Sequence, residues 1–364
     1  MTLDVKSPIS RDKAEYEGCA AWSNPRGVSS NHVLSRAFGD AYIRRENVRH
    51  ATFSFCASTR PALVEQTARD NELGLKMAIS ECYTENEVTF FVDRIKNLVS
   101  DIRPLLESMI THCCDFSAKN PCSPDIVALF LMAEKISLFN DDISRAIASY
   151  VKTNYKPAVR DIPRMAEDRV SSEKYLWTLY LERKYHDDSS HDDCRKRISD
   201  CLSAFEDSKN PGLSSMLWLF PDFATEERLK TVEDIVKETA PWWQRDKMLL
   251  WLACMGASEC SQETVREIET QICGLQLETG AFATVGGSDE NGDLVSSSIG
   301  LLVLISCAKK NNAEGPIMDA LRKTVRWIIE YITAKQGTCG ADIAWAYYAL
   351  CEYVNLFKSA RIVA

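Results

Sequence analysis

The sequence predicts an all-α fold built from helical hairpins, and two observations carry that prediction. Past Pro61 apolar residues recur at helical spacing nearly throughout, and two kinds of helical segment alternate along the chain. One kind is amphipathic, with a dry and a wet face. The other is apolar all round, and a helix without a polar face has to be surrounded by protein.

Residues 1–60 carry Pro8, Pro25, Gly18, Gly27 and Gly39 with weak periodicity, and are read as an arm on the body with a short helix in "HVLSRAFGDAYIRR". Residues 61–364 form the helical domain. Its first amphipathic segment places Val88, Phe91, Val92, Ile95, Leu98, Val99 and Ile102 on one stripe, followed by the apolar "IVALFLM". Next come Ile143–Val151 with "YLWTLYL", Ile198–Phe205 with "SSMLWLF", and Leu229–Val236 with "MLLWLACM". Val265, Ile268, Ile272 and Leu275 then precede "IGLLVLI", and Met318, Leu321, Val325, Ile328, Ile329 and Ile332 precede "IAWAYYAL". That makes six amphipathic and six apolar segments in strict alternation, a repeat of form without a repeat of sequence. Such hairpins close naturally into a double-walled ring, an (α/α)6 toroid of six outer and six inner helices. A multilayer bundle is the alternative; it explains buried helices without requiring the alternation.

Composition narrows the function. A net charge of −9 without a local Lys/Arg cluster argues against nucleic acid. Met1–Asp12 has no apolar stretch of signal-peptide type, and no run approaches the ~20 residues that span a bilayer, so a cytoplasmic protein is expected. The fourteen cysteines lie scattered through apolar helical contexts without a CxxC, Cys113–Cys114 being the one adjacent pair, which suits reduced, buried thiols. Five histidines, none at zinc spacing with a cysteine, offer no structural zinc site.

The stretch from "ICGLQ" through "ETGAFAT" and an acidic turn to "SSSIGLLVLI" resembles the repeat unit of the terpenoid cyclase and protein prenyltransferase toroids. In that family Gln, Gly and an aromatic follow the outer helix and staple it to the next turn. The family's acidic DxDD is absent, since "KYHDD" and "SSHDD" lack its leading Asp, and no histidine beyond His191 could complete a prenyltransferase zinc triad. The aspartate-rich DDxxD of metal-dependent synthases is also missing. "NDDISRAIA" matches part of their second metal motif at Asn140, Asp141 and Ser144, but Ala148 stands where its Glu belongs. Asn140 as a helix N-cap with Asp141 and Asp142 in the first turn explains that string better. A looser likeness is to fungal sesquiterpene cyclases that lack the standard aspartate motifs, such as the humulene synthases of tropolone meroterpenoid pathways. That likeness implies farnesyl diphosphate, magnesium and a helical lysine.

In a toroid the inner helices run in one direction, so their N-termini gather at one mouth, where unpaired N–H groups and positive dipole ends suit a diphosphate. The residues expected there are Glu173, Lys174, Ser214, Ser215, Arg245, Asp246, Lys247, Ser296–Ser298 and Asp342, with the loop acids Asp289, Glu290 and Asp293 above them. Within "QRDK", Lys247 and Arg245 are the candidate diphosphate contacts and Asp246 a magnesium ligand. Lys247 as an ordinary first-turn residue is the plainer alternative. Asp342 is a second metal candidate or an N-cap; Asp289 is a third, or part of a solvated turn. Were an acid to protonate an alkene instead, it would be Asp246 or Asp342. "HDDSSHDD" is read as a surface linker.

Trp177, Trp218, Trp243, Trp345, Tyr348 and Phe282 are the candidate aromatic wall, since ring faces stabilise carbocations. Each is also an ordinary core filler. The expected function is a terpene cyclase acting on a linear prenyl diphosphate, with farnesyl diphosphate foremost, Mg2+ as cofactor and a homodimer allowed. A non-catalytic toroid that binds or scaffolds a partner is the alternative.

Overall fold

The computed structural model describes residues 83–115, 179–180, 183, 191–210, 212–239, 244–257, 260–284, 292–310, 315–334 and 340–359. Among them there are helices and no strands. In chain order these are α1 (Glu85–Asp115), α2 (His191–Asp207), α3 (Leu213–Leu219), α4 (Glu226–Thr239), α5 (Gln244–Gly256), α6 (Gln262–Leu275), α7 (Leu294–Lys310), α8 (Gly315–Ala334) and α9 (Gly340–Ser359). The expected arm and the segments Ile126–Met132 and Ile143–Val151 lie outside the described residues, as do most of Tyr175–Leu181 and the Asn140 motif.

Local sequence explains where the helices begin and stop. Thr84 and Glu87 form a reciprocal box at the start of α1: the Glu87 amide donates to Thr84 Oγ1 at 3.2 Å and the Thr84 amide to Glu87 Oε2 at 2.9 Å. Ser261 caps α6 by accepting from the Thr264 amide at 3.0 Å. α3 is short because Pro221 follows it, and Phe220 leaves the helical region at φ −126°, ψ 70°. The string read as a linker ends differently from expectation, since His191–Asp193 open α2.

The amphipathic segments bury the predicted stripes. Val265, Ile268 and Ile272 of α6 are buried, as are Met318, Leu321, Val325, Ile328 and Ile329 of α8. In the apolar class, α7 is buried from Leu294 to Ala308 without a wet face.

Packing follows the same division. α3, α5, α7 and α9 lie side by side in sequence order, while α4 packs on α3 and α5, α6 on α5 and α7, and α8 on α7 and α9. α5 and α7 run parallel: Arg245 near the start of α5 bonds Ser296 near the start of α7, and Met255 near the end of α5 meets Cys307 of α7 with the sulfurs 3.7 Å apart. The row also bends back on itself. Trp218 of α3 and Trp345 of α9 stack with centroids 5.9 Å apart and planes 17° from parallel. α1 packs on the far side of α9, where the Tyr353 hydroxyl donates to that of Tyr83 at 3.3 Å and Tyr83 donates to the Met318 carbonyl at 3.2 Å. The described residues are thus a curved double layer of helices.

The joint between α6 and α7 has its own fastening. Gln276 donates to the Ala320 carbonyl at 2.9 Å and to Thr324 Oγ1 at 2.7 Å, tying the end of α6 to α8. Gly280 has φ +90°, and a Cβ there would stand 2.5 Å from the Lys323 carbonyl oxygen. Phe282, fully buried, lies across Gly300 of α7; a Cβ on Gly300 would come within 2.4 Å of its ring.

Candidate functional site

The N-termini of α5 and α7 lie together, and the residues that open them form one buried polar cluster. Asp293 caps α7, its carboxylate accepting from the Ser296 amide at 2.7 Å. The same carboxylate pairs with the Arg245 guanidinium, whose Nε donates to Ser296 Oγ at 2.6 Å. Asp293 was expected as a loop acid above the mouth; it is instead a capping residue and the counter-charge of Arg245. A guanidinium only 3% exposed requires such a partner, since an uncompensated buried charge is strongly unfavourable.

The serines behind it are engaged as well. Ser297 Oγ accepts from the Phe282 amide at 3.0 Å, and Ser298 Oγ donates to the Leu294 carbonyl at 2.7 Å. Ser296–Ser298 are fully buried, so they serve the α7 terminus and the Phe282 turn rather than an open rim.

Asp246 is also buried, at 2% exposure, in the first turn of α5. Lys247 follows it but points away from Arg245, because residues two apart on a helix diverge by about 200°. Its ammonium sits 5.1 Å from the centre of the Trp251 ring. It shares a face with Cys254, seven residues on, whose thiol lies within electrostatic reach of Glu233 on α4. Burial and the nearby Cys260 and Glu233 push that thiol up to about 12. The Lys247 stripe therefore faces the outer layer, away from Arg245.

Asp342 lies in the first turn of α9, two residues beyond its start, and not at the N-cap. Trp243, Trp177 and Asp289 lie outside the described residues. Trp218, Trp345, Phe282 and Tyr348 are each buried, and the first two face one another.

The magnesium expectation has a fit to meet. Among the described residues no group of three or more His, Cys, Asp or Glu side chains is gathered to hold a metal ion. Asp246 and Asp342 lie on separate inner helices, and Asp293 is taken by Arg245. Asp289, the third expected ligand, lies outside the described residues.

Sequence reasoning missed the most unusual atoms here. The Gln244 amide N–H donates to the Thr284 carbonyl at 3.2 Å, and both side chains leave an oxygen buried without a hydrogen-bond partner, Gln244 Oε1 and Thr284 Oγ1. Nothing in the residue types signals this; it follows from where the turn before residue 285 meets α5.

Compared with known protein families, with curated proteins and with solved structures, the chain has no match in any of the three. Among the described residues no helix is long and apolar enough to cross a membrane.

Proposed function

We propose that the chain is a terpene cyclase of (α/α)6 toroid form that takes a linear prenyl diphosphate, farnesyl diphosphate first. The supporting observation is the convergence of the α5 and α7 N-termini on the Arg245–Asp293–Ser296 cluster, beside the buried Asp246. Helix N-termini favour the negative charge that develops as a diphosphate leaves. Arg245, held by Asp293 and Ser296, fixes the two helix termini against one another at that end. The buried aromatic residues supply ring faces for carbocation intermediates. No step is assigned to Mg2+, whose requirement is a quantity to measure.

A specific observation favours the non-catalytic reading, a toroid that binds or scaffolds a partner. The Trp218–Trp345 stack fills the space between α3 and α9, and Phe282 is seated on Gly300, as expected of side chains that build a core.

One experiment separates them. Purified protein is incubated with farnesyl diphosphate, with and without Mg2+, and extracts are read by mass spectrometry. A cyclic hydrocarbon or alcohol is the expected product. Its absence with both farnesyl and geranylgeranyl diphosphate overturns the cyclase in favour of the scaffold. Lys247→Ala is the control for the outer stripe: retained product matches its outward face, and lost product moves the diphosphate to that side.

A further inference from the structure

We propose that Thr284 and Gln244 form a binding site for one uncharged hydroxyl group at the N-terminal end of α5. Thr284 is 1% exposed and its Oγ1 has no partner, and Gln244, whose backbone N–H bonds the Thr284 carbonyl, leaves its Oε1 without one too. Folded proteins leave few such atoms, and each calls for an occupant or a reason. Two on residues joined by a 3.2 Å backbone hydrogen bond, at the first residue of a helix, mark a place and not a scatter.

The two atoms also specify the chemistry. A threonine hydroxyl can donate, while an amide oxygen only accepts. The occupant must donate to Gln244, and one that also accepts the Thr284 proton satisfies both atoms at once, which water and alcohols do. A fully ionised phosphate has no proton to give Gln244. The site is therefore distinct in kind from a diphosphate contact. Gln244 is only partly buried, which gives the occupant a way in.

The hydroxyl has two sources, solvent water or the alcohol of a prenyl ligand, and the second rests on the function proposed above. Thr284→Val removes the hydroxyl at nearly equal volume, and Thr284→Ser keeps it. For water, crystals of the wild type and Thr284→Ser are expected to show one ordered molecule within hydrogen-bond distance of both side chains, missing in Thr284→Val. For a ligand, farnesol titrated against tryptophan fluorescence is expected to bind the wild type and Thr284→Ser alike and Thr284→Val about tenfold more weakly. The proposal is overturned if wild-type crystals show no occupant and farnesol affinity does not respond to Thr284→Val. A raised melting temperature in Thr284→Val would then mean that the hydroxyl is merely unpaired. Farnesyl diphosphate turnover is read separately, so a failed cyclase reading leaves the water arm standing.

Discussion

Trp218 and Trp345 stack face to face with 5.9 Å between ring centres, although their helices stand at opposite ends of the inner row. Both indoles are almost fully buried. Trp345→Ala is expected to destabilise the fold by about 3–5 kcal/mol, read as a lower urea midpoint. A double-mutant cycle with Trp218→Ala should return a coupling of about 0.5–1.5 kcal/mol, the share belonging to the ring pair itself.

Gly300 lies inside α7, where alanine is ordinarily the better helix former by about 1 kcal/mol. Here the Phe282 ring stands 2.4 Å from the place a Cβ would take. Gly300→Ala is therefore expected to destabilise by about 1–3 kcal/mol in a thermal melt, the opposite sign from a free helix. Adding Phe282→Leu should return part of that loss.

Asp293 has two duties that substitution can separate. Asparagine caps a helix about as well as aspartate, so Asp293→Asn preserves the α7 terminus while removing the counter-charge of Arg245. We expect a loss of about 3–5 kcal/mol from breaking the buried pair. If Asp293→Asn melts like the wild type, the ion pair contributes nothing and the carboxylate acts only as a cap.

Gln276→Ala removes the amide that holds Ala320 and Thr324, so a loss of about 1–3 kcal/mol is expected. Gln276→Glu keeps the size but brings a carboxylate to a carbonyl oxygen, and should be worse than alanine in the same melt.

Cys254 gives a pH test. Its folded thiol is pushed from an ordinary value of 9.0 to about 12, chiefly by burial, so the folded state keeps a proton that the unfolded chain releases. Its contribution is complete below about pH 8.5 and declines as pH rises through 12. The stability difference between wild type and Cys254→Ala, from urea midpoints at pH 7.5 and 10.5, should shrink at the higher pH.

The two classes of helix were legible in the sequence because burial acts on local spacing. Val265, Ile268 and Ile272 declare a face by their intervals alone, and "IGLLVLI" declares burial by having no polar side. What the sequence withheld lies in pairings between distant residues. Asp293 reads as one more acid in an acidic loop until Arg245, 48 residues earlier, is seen against it. Lys247 and Arg245 look equivalent in "QRDK", yet helical geometry sends them to opposite sides of α5. The orphaned Thr284 hydroxyl has no signature, since an unmet hydrogen bond is a property of the surroundings.

The Tyr83–Tyr353 contact joins residues 270 apart in sequence. During synthesis, at about 5–20 residues per second, α9 emerges on the order of tens of seconds after Tyr83. For that interval the part of α1 that α9 will cover is bare hydrocarbon in water. The nascent chain therefore carries α1 with an uncovered apolar face until α9 arrives. Chains stalled before α9 should be the ones that chaperones hold and that aggregate when they are not held.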